Sequence, residues 1–520
     1  MTTVVSQFFP NLYRDSVALM QLSSRLGRLP GIEEASALMA TRANLQLMQG
    51  AGLLDQVPDP RPNDVLLVLR GEAAAAAEAL QAAAAMFDEK AQAPAGEARR
   101  EPLRSIRMAV KALSATSPNL VLISTPGDYA AAEAMKALQL GLNVMIFSDN
   151  VPVQAEVELK RYARSRQLLV MGPDCGTAIV SGVPLAFANV VRSGPIGLIG
   201  ASGTGTQEVS CLIHQFGGGI THALGTGGHD LSEAVGGLTM LGALEQLAAD
   251  EHTRVVVLIS KPPAPGVAET VLRAAAGCGK PVVACFLGAD PKGIQRPGVF
   301  AATTLEEAAR RAVALCQGKV DEPAAGGNDG SRARALAARL GPDQTCLRGL
   351  YTGGTFCYEA LLMLQDVLPD LQSNTPTGKV RRMSDVWVSR GNTIIDLGDD
   401  DFTRGRPHPM IDPGPRNERL LVESADPQVA IVLLDFVLGH GSHPDPAFAF
   451  VPALSTAREQ AARAGRQVLF IGHVCGTELD PQDLNRQRTL LQAAGVELTT
   501  SNAEAVGLCR DIFAILRAGA

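Results

Sequence analysis

A protein of several α/β domains, each built on a parallel sheet and preceded by a small α/β region, is the fold class this sequence predicts. Three observations carry that expectation. At 520 residues the chain is too long for one hydrophobic core and divides into about two to four domains. Short apolar runs of strand type alternate with single helical stretches, the spacing of βα units. The composition, 46% apolar but only 4% aromatic with 52 glycines, suits Ala-rich helices packed on parallel sheets with glycine at the turns.

The elements follow in order. Val4-Val5 reads as a strand, Asp15 to Leu26 as a helix, Ala35 to Met39 as a strand and Arg42 to Met48 as a helix. Asp64 to Arg70 is a continuous apolar strand, and an Ala-rich helix starts at Glu72. Residues 1–100 thus form a small α/β region of ferredoxin-like kind, ending in the Ala/Pro/Gly/charged linker Gln92 to Glu101. Within 101–192, strands at Leu120–Ser124, Asn143–Ser148 and Leu168–Met171 alternate with helices at Asp128–Leu140 and Val153–Arg166. Within 193–318, strands fall at Gly197–Ile199, Thr221–Leu224, Val255–Ile259, Val282–Phe286 and around Val299. Residues 319–344 turn to Gly, Asp, Pro and Ala with mixed charges and read as a linker. A last α/β domain, 345–520, has strands near Thr393–Asp396, Val429–Leu434, Val468–Ile471 and Glu497–Thr500.

The bulk numbers exclude several function classes. A net charge of −7 without a basic block argues against nucleic-acid binding. Nine scattered cysteines without a CxxC pair read as reduced thiols, not a disulfide framework or a zinc site. No apolar run is long enough to span a bilayer, and Met1 to Ser6 does not begin a leader, so a soluble cytoplasmic protein is expected.

The most informative segment is Gly200-Ala201-Ser202-Gly203-Thr204-Gly205-Thr206-Gln207-Glu208-Val209, after the apolar run Ile196–Ile199 and before a helix. A helix start of this composition offers unpaired amides, hydroxyl donors and the positive end of the macrodipole, a seat for phosphate or carboxylate. Ser202, Gly203 and Thr204 are the candidate donors, and Glu208 is a candidate for orienting a cation or imidazole. An ordinary glycine-rich turn with a dipole-stabilising glutamate fits the same residues. A second such turn, Tyr351-Thr352-Gly353-Gly354-Thr355, offers Gly353, Gly354 and Thr355. Two such turns suggest two helix starts serving one anionic reaction centre.

Other polar segments add candidates. Met171 to Gly176 ends a strand where open α/β sheets bind ligands, so Asp174 or Cys175 could touch substrate, although no base stands beside the thiol in sequence. Thr226 to Leu231 offers His229 as an acid–base group or a surface histidine. The densest polar stretch, Asp396 to Asp412, holds Arg404 and Arg406, able to grip an anion by paired hydrogen bonds, and His408 between two prolines. Its charges could equally pair among themselves. His440, His443 and Asp445 match no firm metal pattern, and no metal is expected.

These residues carry a resemblance. Asn119 to Cys175, including Met171-Gly172-Pro173-Asp174-Cys175, resembles the end of the Rossmann-like CoA-binding-type domain of succinyl-CoA synthetase α-subunits. Ser202-Gly203-Thr204 with Glu208 resembles that family's S-G-T-x-x-x-E, and Ile259-Ser260-Lys261 through Gly279-Lys280-Pro281-Val282-Val283 also follows it. Tyr351 to Cys357 is similar to the facing helix of the β-subunit, so 193–318 and 345–520 correspond to two flavodoxin-like synthetase-type domains. Gly200–Val209, Thr226–Gly237 and Gly405–Pro413 resemble more specifically the FdrA family, acyl-CoA-synthetase-like proteins associated with oxamate carbamoyl transfer in allantoin and purine breakdown together with two separately encoded partner subunits.

The departures narrow what the resemblance implies. Phe286 to Gly298, where the synthetases carry their phosphorylated histidine, has none. Val65–Leu69 runs into Arg70-Gly71-Glu72-Ala73 without a glycine-rich CoA turn, and there is no P-loop. The resemblance therefore implies a carbamoyltransferase subunit acting on a small acid with phosphate or carbamoyl phosphate as substrate. Ser202, Gly203, Thr204, Gly353, Gly354 and Thr355 would hold the anion, Arg406, Arg404 and Asp174 the substrate, and His408, His229 and Glu208 would act in catalysis. The alternatives are a CoA-dependent acid–thiol ligase and a non-catalytic subunit that keeps the fold.

Overall fold

Four sheets order the described residues, two of three strands and two of seven. The computed structural model describes the chain apart from residues 1, 13, 15, 42–43, 46–47, 50–51, 55–63, 90–102, 320–329, 404–406 and 519–520. Parts of the expected Arg42–Met48 helix and of the 319–344 linker, and all of the Gln92–Glu101 linker, lie outside the described residues.

The first sheet is antiparallel, with β1 (Thr2–Phe9), β2 (Ile32–Met39) and β3 (Val65–Glu72) in the order β1-β3-β2. Helices α1 (Ser16–Gly27) and α2 (Ala73–Glu89) pack on one face. β3 is continuously apolar because both its faces are covered. Val65, Leu67 and Leu69 meet Leu19, Leu26, Ala76 and Ala79, while Leu66 and Val68 meet Leu45, Met48 and Leu53.

The second sheet is parallel, with β4 (Leu120–Ile123), β5 (Asn143–Ile146) and β6 (Val170–Met171). It carries α3 (Ile106–Ala112), α4 (Gly127–Gln139) and α5 (Val153–Ser165).

The third sheet contains β7 (Thr177–Val180), β8 (Val183–Ala186), β9 (Ser193–Gly200), β10 (Ile220–Gly225), β11 (Val255–Ser260), β12 (Val282–Phe286) and β13 (Val299–Ala301). Their order is β13-β12-β11-β9-β10-β7-β8. The β7–β8 hairpin, which sequence reading left inside 101–192, pairs antiparallel with β10 at one edge of an otherwise parallel sheet. Helices α6 (Gly203–Gln215), α7 (Leu238–Ala249), α8 (Pro265–Gly277), α9 (Pro291–Ile294) and α10 (Leu305–Cys316) accompany it.

The fourth sheet is parallel throughout, ordered β16-β15-β17-β14-β18-β19-β20. After α11 (Ser331–Ala337) its elements run β14 (Cys346–Tyr351), α12 (Gly354–Leu364), β15 (Gln372–Ser373), β16 (Arg381–Arg382), β17 (Thr393–Asp396) and α13 (Asp400–Thr403). They continue with α14 (Gly414–Ala425), β18 (Val429–Val437), α15 (Pro446–Arg463), β19 (Leu469–Cys475), α16 (Leu484–Ala493), β20 (Val496–Thr499) and α17 (Asn502–Ala518). The helix α11 falls in what reads as linker. Ala333, Leu336 and Ala337 bury one of its faces.

Both large sheets reverse strand order at a central strand. β9 lies between β10 and β11, and β14 lies between β17 and β18. The crevice beyond such a strand is where open α/β sheets bind ligands. The turns at 200–202 and 352–353 leave the ends of these two strands. One continuous apolar core joins the sheets, with Leu212, Val257 and Leu305 in the same cluster as Phe356, Leu361, Ile431 and Phe513. That shared core fixes α6 against α12.

The second sheet is tied to the third by a buried charge. Lys160 Nζ on α5 donates to Glu156 Oε1 at 2.7 Å, Asp230 Oδ1 at 2.9 Å and Thr226 O at 2.9 Å. Asp230 in turn accepts the amides of Thr239 and Met240 at the start of α7. Removing one partner from a buried ion cluster strands the others without solvation. Lys160→Ala should therefore lower stability by about 3–5 kcal/mol, read as a shift of the urea midpoint at unchanged slope; an unchanged midpoint would contradict the assignment.

Candidate active site

Helices α6 and α12 meet N-terminus to N-terminus. Ser202 caps α6, its Oγ accepting the Gly205 amide at 3.0 Å. The same oxygen lies 2.5 Å from Thr355 Oγ1 on α12. The amide of Thr355 donates to Thr204 Oγ1 at 3.4 Å. A Cβ on Gly205 would stand 3.1 Å from Thr355 Cγ2, and one on Gly353 would stand 3.0 Å from Thr204 Cγ2. Glycine is needed at both positions for the helix ends to approach this closely. Among the described residues no hydrogen bond takes the amides of Gly203, Thr204 or Gly354. Of the paired hydroxyls one donates to the other, so one proton stays available to a third group.

A buried carboxylate builds the second turn. Asp435, near the end of β18, accepts Thr352 N at 2.9 Å, Thr352 Oγ1 at 2.8 Å and Gly353 N at 2.8 Å. Arg416 Nη2 donates to it at 3.0 Å, and Arg416 Nε holds Leu350 O at 3.0 Å. Gly353 therefore has its amide committed inside the protein, which leaves Gly354 and Thr355 to face the cleft from this side.

The cleft between the sheets has a volume of about 780 Å³. Both turns line it, with Asp174, Lys261, Asp396 and His408. His408 Nδ1 accepts the Met410 amide at 3.2 Å, which places the ring proton on Nε2. A Cβ on Gly398 would lie 2.6 Å from that nitrogen. Burial pushes the His408 pKa down to about 4, against the pull of Asp435. The imidazole is thus a neutral hydrogen-bond donor at physiological pH. Asp396 stands at the end of β17, where burial raises its pKa to about 7 against the opposing effect of Lys261. Asp174 is reached from the cleft, but the surrounding walls and then the charge of Asp149 raise its pKa to about 6.

The remaining candidates divide. Glu208 does not face the cleft. It is buried behind the helix start, with Oε1 accepting the Asn502 amide at 3.1 Å and Oε2 3.5 Å from His473 Nε2. Burial opposes the charge on His473, but Glu208, Asp435 and Glu359 outweigh it and hold the imidazole above its ordinary pKa. His229 is solvent-exposed beyond the cleft lining, 3.7 Å from Glu156 Oε2. Arg404 and Arg406 lie outside the described residues. Burial pushes the Cys175 thiol up to about 12, and it bonds Thr177 O, so it is inert. His443 bonds Arg28 at 3.1 Å and the Asp445 amide at 3.0 Å, while Asp445 caps α15. Among the described residues no group of three or more His, Cys, Asp or Glu is arranged to hold a metal, and no helix is long and apolar enough to cross a membrane.

Sequence reasoning did not single out Asp435, Lys261 or His473. The signal present was a charged residue closing or interrupting an apolar strand, as in Ile431–Asp435 and Leu469–Cys475.

His408 has a consequence for stability. Its folded pKa of about 4 lies below its ordinary value of 6.5. As pH falls through this window the unfolded chain takes up a proton that the folded cleft refuses, so stability is lost from 6.5 toward 4. The His408→Gln variant should lose less stability than the parent between pH 7 and pH 4.5 in urea unfolding. Parallel losses would contradict the buried neutral state.

Three family models match the chain: "AllF, heavy metal-associated domain" over residues 1–105, "CoA binding domain" over 191–288 and "CoA-ligase" over 350–510. The first cysteine is Cys175 and the first histidine His214, so residues 1–105 offer a metal neither thiolate nor imidazole. The cleft lining carries Asp149, Asp174, Asp399 and Asp400 at strand ends, with Lys261 the single Lys or Arg among the described lining residues. The uncharacterized protein YahF of Escherichia coli (strain K12) is 43% identical over 506 residues, 97% of each chain. The malate–CoA ligase subunit alpha of Methylorubrum extorquens is 27% identical over 219 residues, 40% of this chain and 72% of that protein. Among solved structures, ATP citrate lyase from Methanothrix soehngenii aligns with a TM-score of 0.34 at 18% identity, over 45% of this chain and 46% of that one. With a near full-length relative at this identity, and two synthetase-type domains meeting at paired helix starts, the chain belongs to the FdrA family of succinyl-CoA-synthetase-like proteins.

Proposed function

We propose that the chain is the subunit of an oxamate carbamoyltransferase that holds the reacting phosphate, interconverting oxalurate plus phosphate with oxamate plus carbamoyl phosphate. The observation that carries this reading is the direct contact of the α6 and α12 starts through Ser202 and Thr355 at the cleft wall. Two positive helix ends, three uncommitted amides and a spare hydroxyl proton converge where a tetrahedral dianion would be stabilised.

The parts divide by chemistry. Gly203, Thr204 and Gly354 donate amides, and Ser202 and Thr355 supply hydroxyls. Phosphate oxygen attacks the carbamoyl carbon, and the oxyanion that develops there takes a hydrogen bond from neutral His408 Nε2. Arg404 and Arg406 lie in sequence between Thr403 and His408, which line the cleft, and would clamp the substrate carboxylate. Separately encoded partner subunits complete the enzyme in the cytoplasm, in allantoin breakdown, and no nucleic acid or membrane takes part. The protein is related to acid–thiol ligases. The carbamoyl reading is preferred because no histidine occupies Phe286 to Gly298.

The test is turnover of oxalurate with phosphate by the chain together with its partner subunits. Ser202→Ala with Thr204→Ala should lower kcat by about 10²–10³, the range for lost oxyanion-type donors. Unchanged turnover in the double variant, or thioester formation from ATP, CoA and an acid, would overturn the proposal.

A further inference from the structure

We propose that Asp396 is the proton relay of this site, giving its proton to the amide nitrogen that leaves as oxamate and recovering one from phosphate; this rests on the carbamoyl-transfer reading above. Asp396 was never more than one member of an acidic stretch in sequence. Three features of its setting single it out.

The first is position. Asp396 Oδ2 stands over the first residue of α12, since a Cβ on Gly354 would lie 2.5 Å from it. The carboxyl therefore adjoins the uncommitted Gly354 amide, where the anion is held. The second is rigidity. Oδ1 accepts the Gly398 amide at 3.0 Å. The Asp396 backbone is locked to Asn374 in both directions, amide to Asn374 Oδ1 at 2.9 Å and carbonyl from Asn374 Nδ2 at 3.0 Å. One oxygen is pinned and the other is presented to the cleft that Asp396 lines. The third is that two other titratable groups fall away, leaving Asp396 beside the anion seat and Asp174 elsewhere in the cleft lining. Neutral His408 keeps its one proton on Nε2 and takes a second only near pH 4. Glu359, whose pKa burial raises to about 7, bonds Leu305 N and Asn502 Nδ2 behind α12, outside the cleft lining.

The groups acting on Asp396 come from every side. Lys261 after β11 and the Gly398 amide favour its charged form, whereas Asp399 and Asp435 oppose it. Cys357 on α12 is a buried neutral thiol, its pKa raised by burial and then by Asp396. The carboxyl is thus shared between acid and base forms near neutrality, as a relay requires.

The balance closes. A phosphate oxygen of HPO₄²⁻ forms a bond to the carbamoyl carbon. The bond from that carbon to the oxamate nitrogen breaks, and its electron pair goes to nitrogen. Asp396 delivers its proton to that nitrogen and takes up the proton that phosphate carried. Oxamate and carbamoyl phosphate leave, and Asp396 ends protonated as it began.

Sulfate tests the placement without turnover, because it is a tetrahedral dianion whose charge does not change in this range. Binding of sulfate to the full-length chain is measured at pH 6 and pH 8.5 for the parent and for Asp396→Asn. Ionised Asp396 repels the anion, so the parent should lose about tenfold in affinity relative to the variant at the higher pH, the factor for one unit of coupling. At pH 6 the two should bind alike. In the assembled enzyme Asp396→Asn should lower kcat by about 10²–10⁴, with little change in KM for phosphate and no titration near neutrality. Parent and variant binding sulfate alike at both pH values would overturn the relay and leave the carbamoyl-transfer reading standing. No sulfate binding by either would overturn the anion seat and the relay with it. Should Asp396→Asn not fold, Gly354→Ala, which puts a methyl group against Oδ2, should abolish the parent's pH dependence of sulfate binding, and an unaltered dependence would overturn the relay.

Discussion

Two helix macrodipoles meeting positive end to positive end are the constraint on which this molecule turns. Each N-terminus carries roughly half a positive charge, and nothing in the backbone relieves the repulsion when two point at one spot. The fold supplies the relief in parts. A core continuous across both large sheets holds α6 and α12 in place from behind. Glycines at 205 and 353 remove the side chains that would keep the ends apart. Asp435 neutralises the turn before α12, with Arg416 balancing the carboxylate. The residual positive field, with its unpaired amides, opens into the cleft. An anion there would complete the structure electrostatically.

The same geometry divides the titratable groups into scaffold and chemistry. Glu208 and His473 form a buried pair behind the helix starts, close enough to attract and shut off from solvent. Their part is to hold α6, β19 and α17 together, not to meet substrate. Three groups that open to the cleft have their protonation set by burial, which keeps His408 neutral and draws Asp396 and Asp174 toward neutrality. A seat for a dianion benefits from this arrangement, because carboxylates of ordinary pKa so close by would repel it.

Much of this was legible in the sequence, and the limits have physical causes. The strands of the large sheets announce themselves because buried parallel strands are continuous apolar runs. Both helix starts were visible because glycine and hydroxyl residues directly after such a run have few other uses. The contact between them could not be read, since it depends on side chains of two domains meeting. Asp435 was hidden for the same reason: the groups it holds at Thr352 and Gly353 precede it by more than eighty residues. Glu208 lies beside the imidazole of His473 behind the helix start and not at the cleft; periodicity does not say which side of a wholly buried helix turn faces the cleft. The helix α11 passed for linker because its Ala and Arg residues gain a buried face only against the finished core.

The most direct test of the paired seat is a crystal structure of the full-length chain with phosphate bound. One tetrahedral anion within hydrogen-bonding distance of the amides of both Thr204 and Gly354 is the result expected. An anion held by one helix start alone, or seated elsewhere in the cleft with both amides bare, would contradict the account.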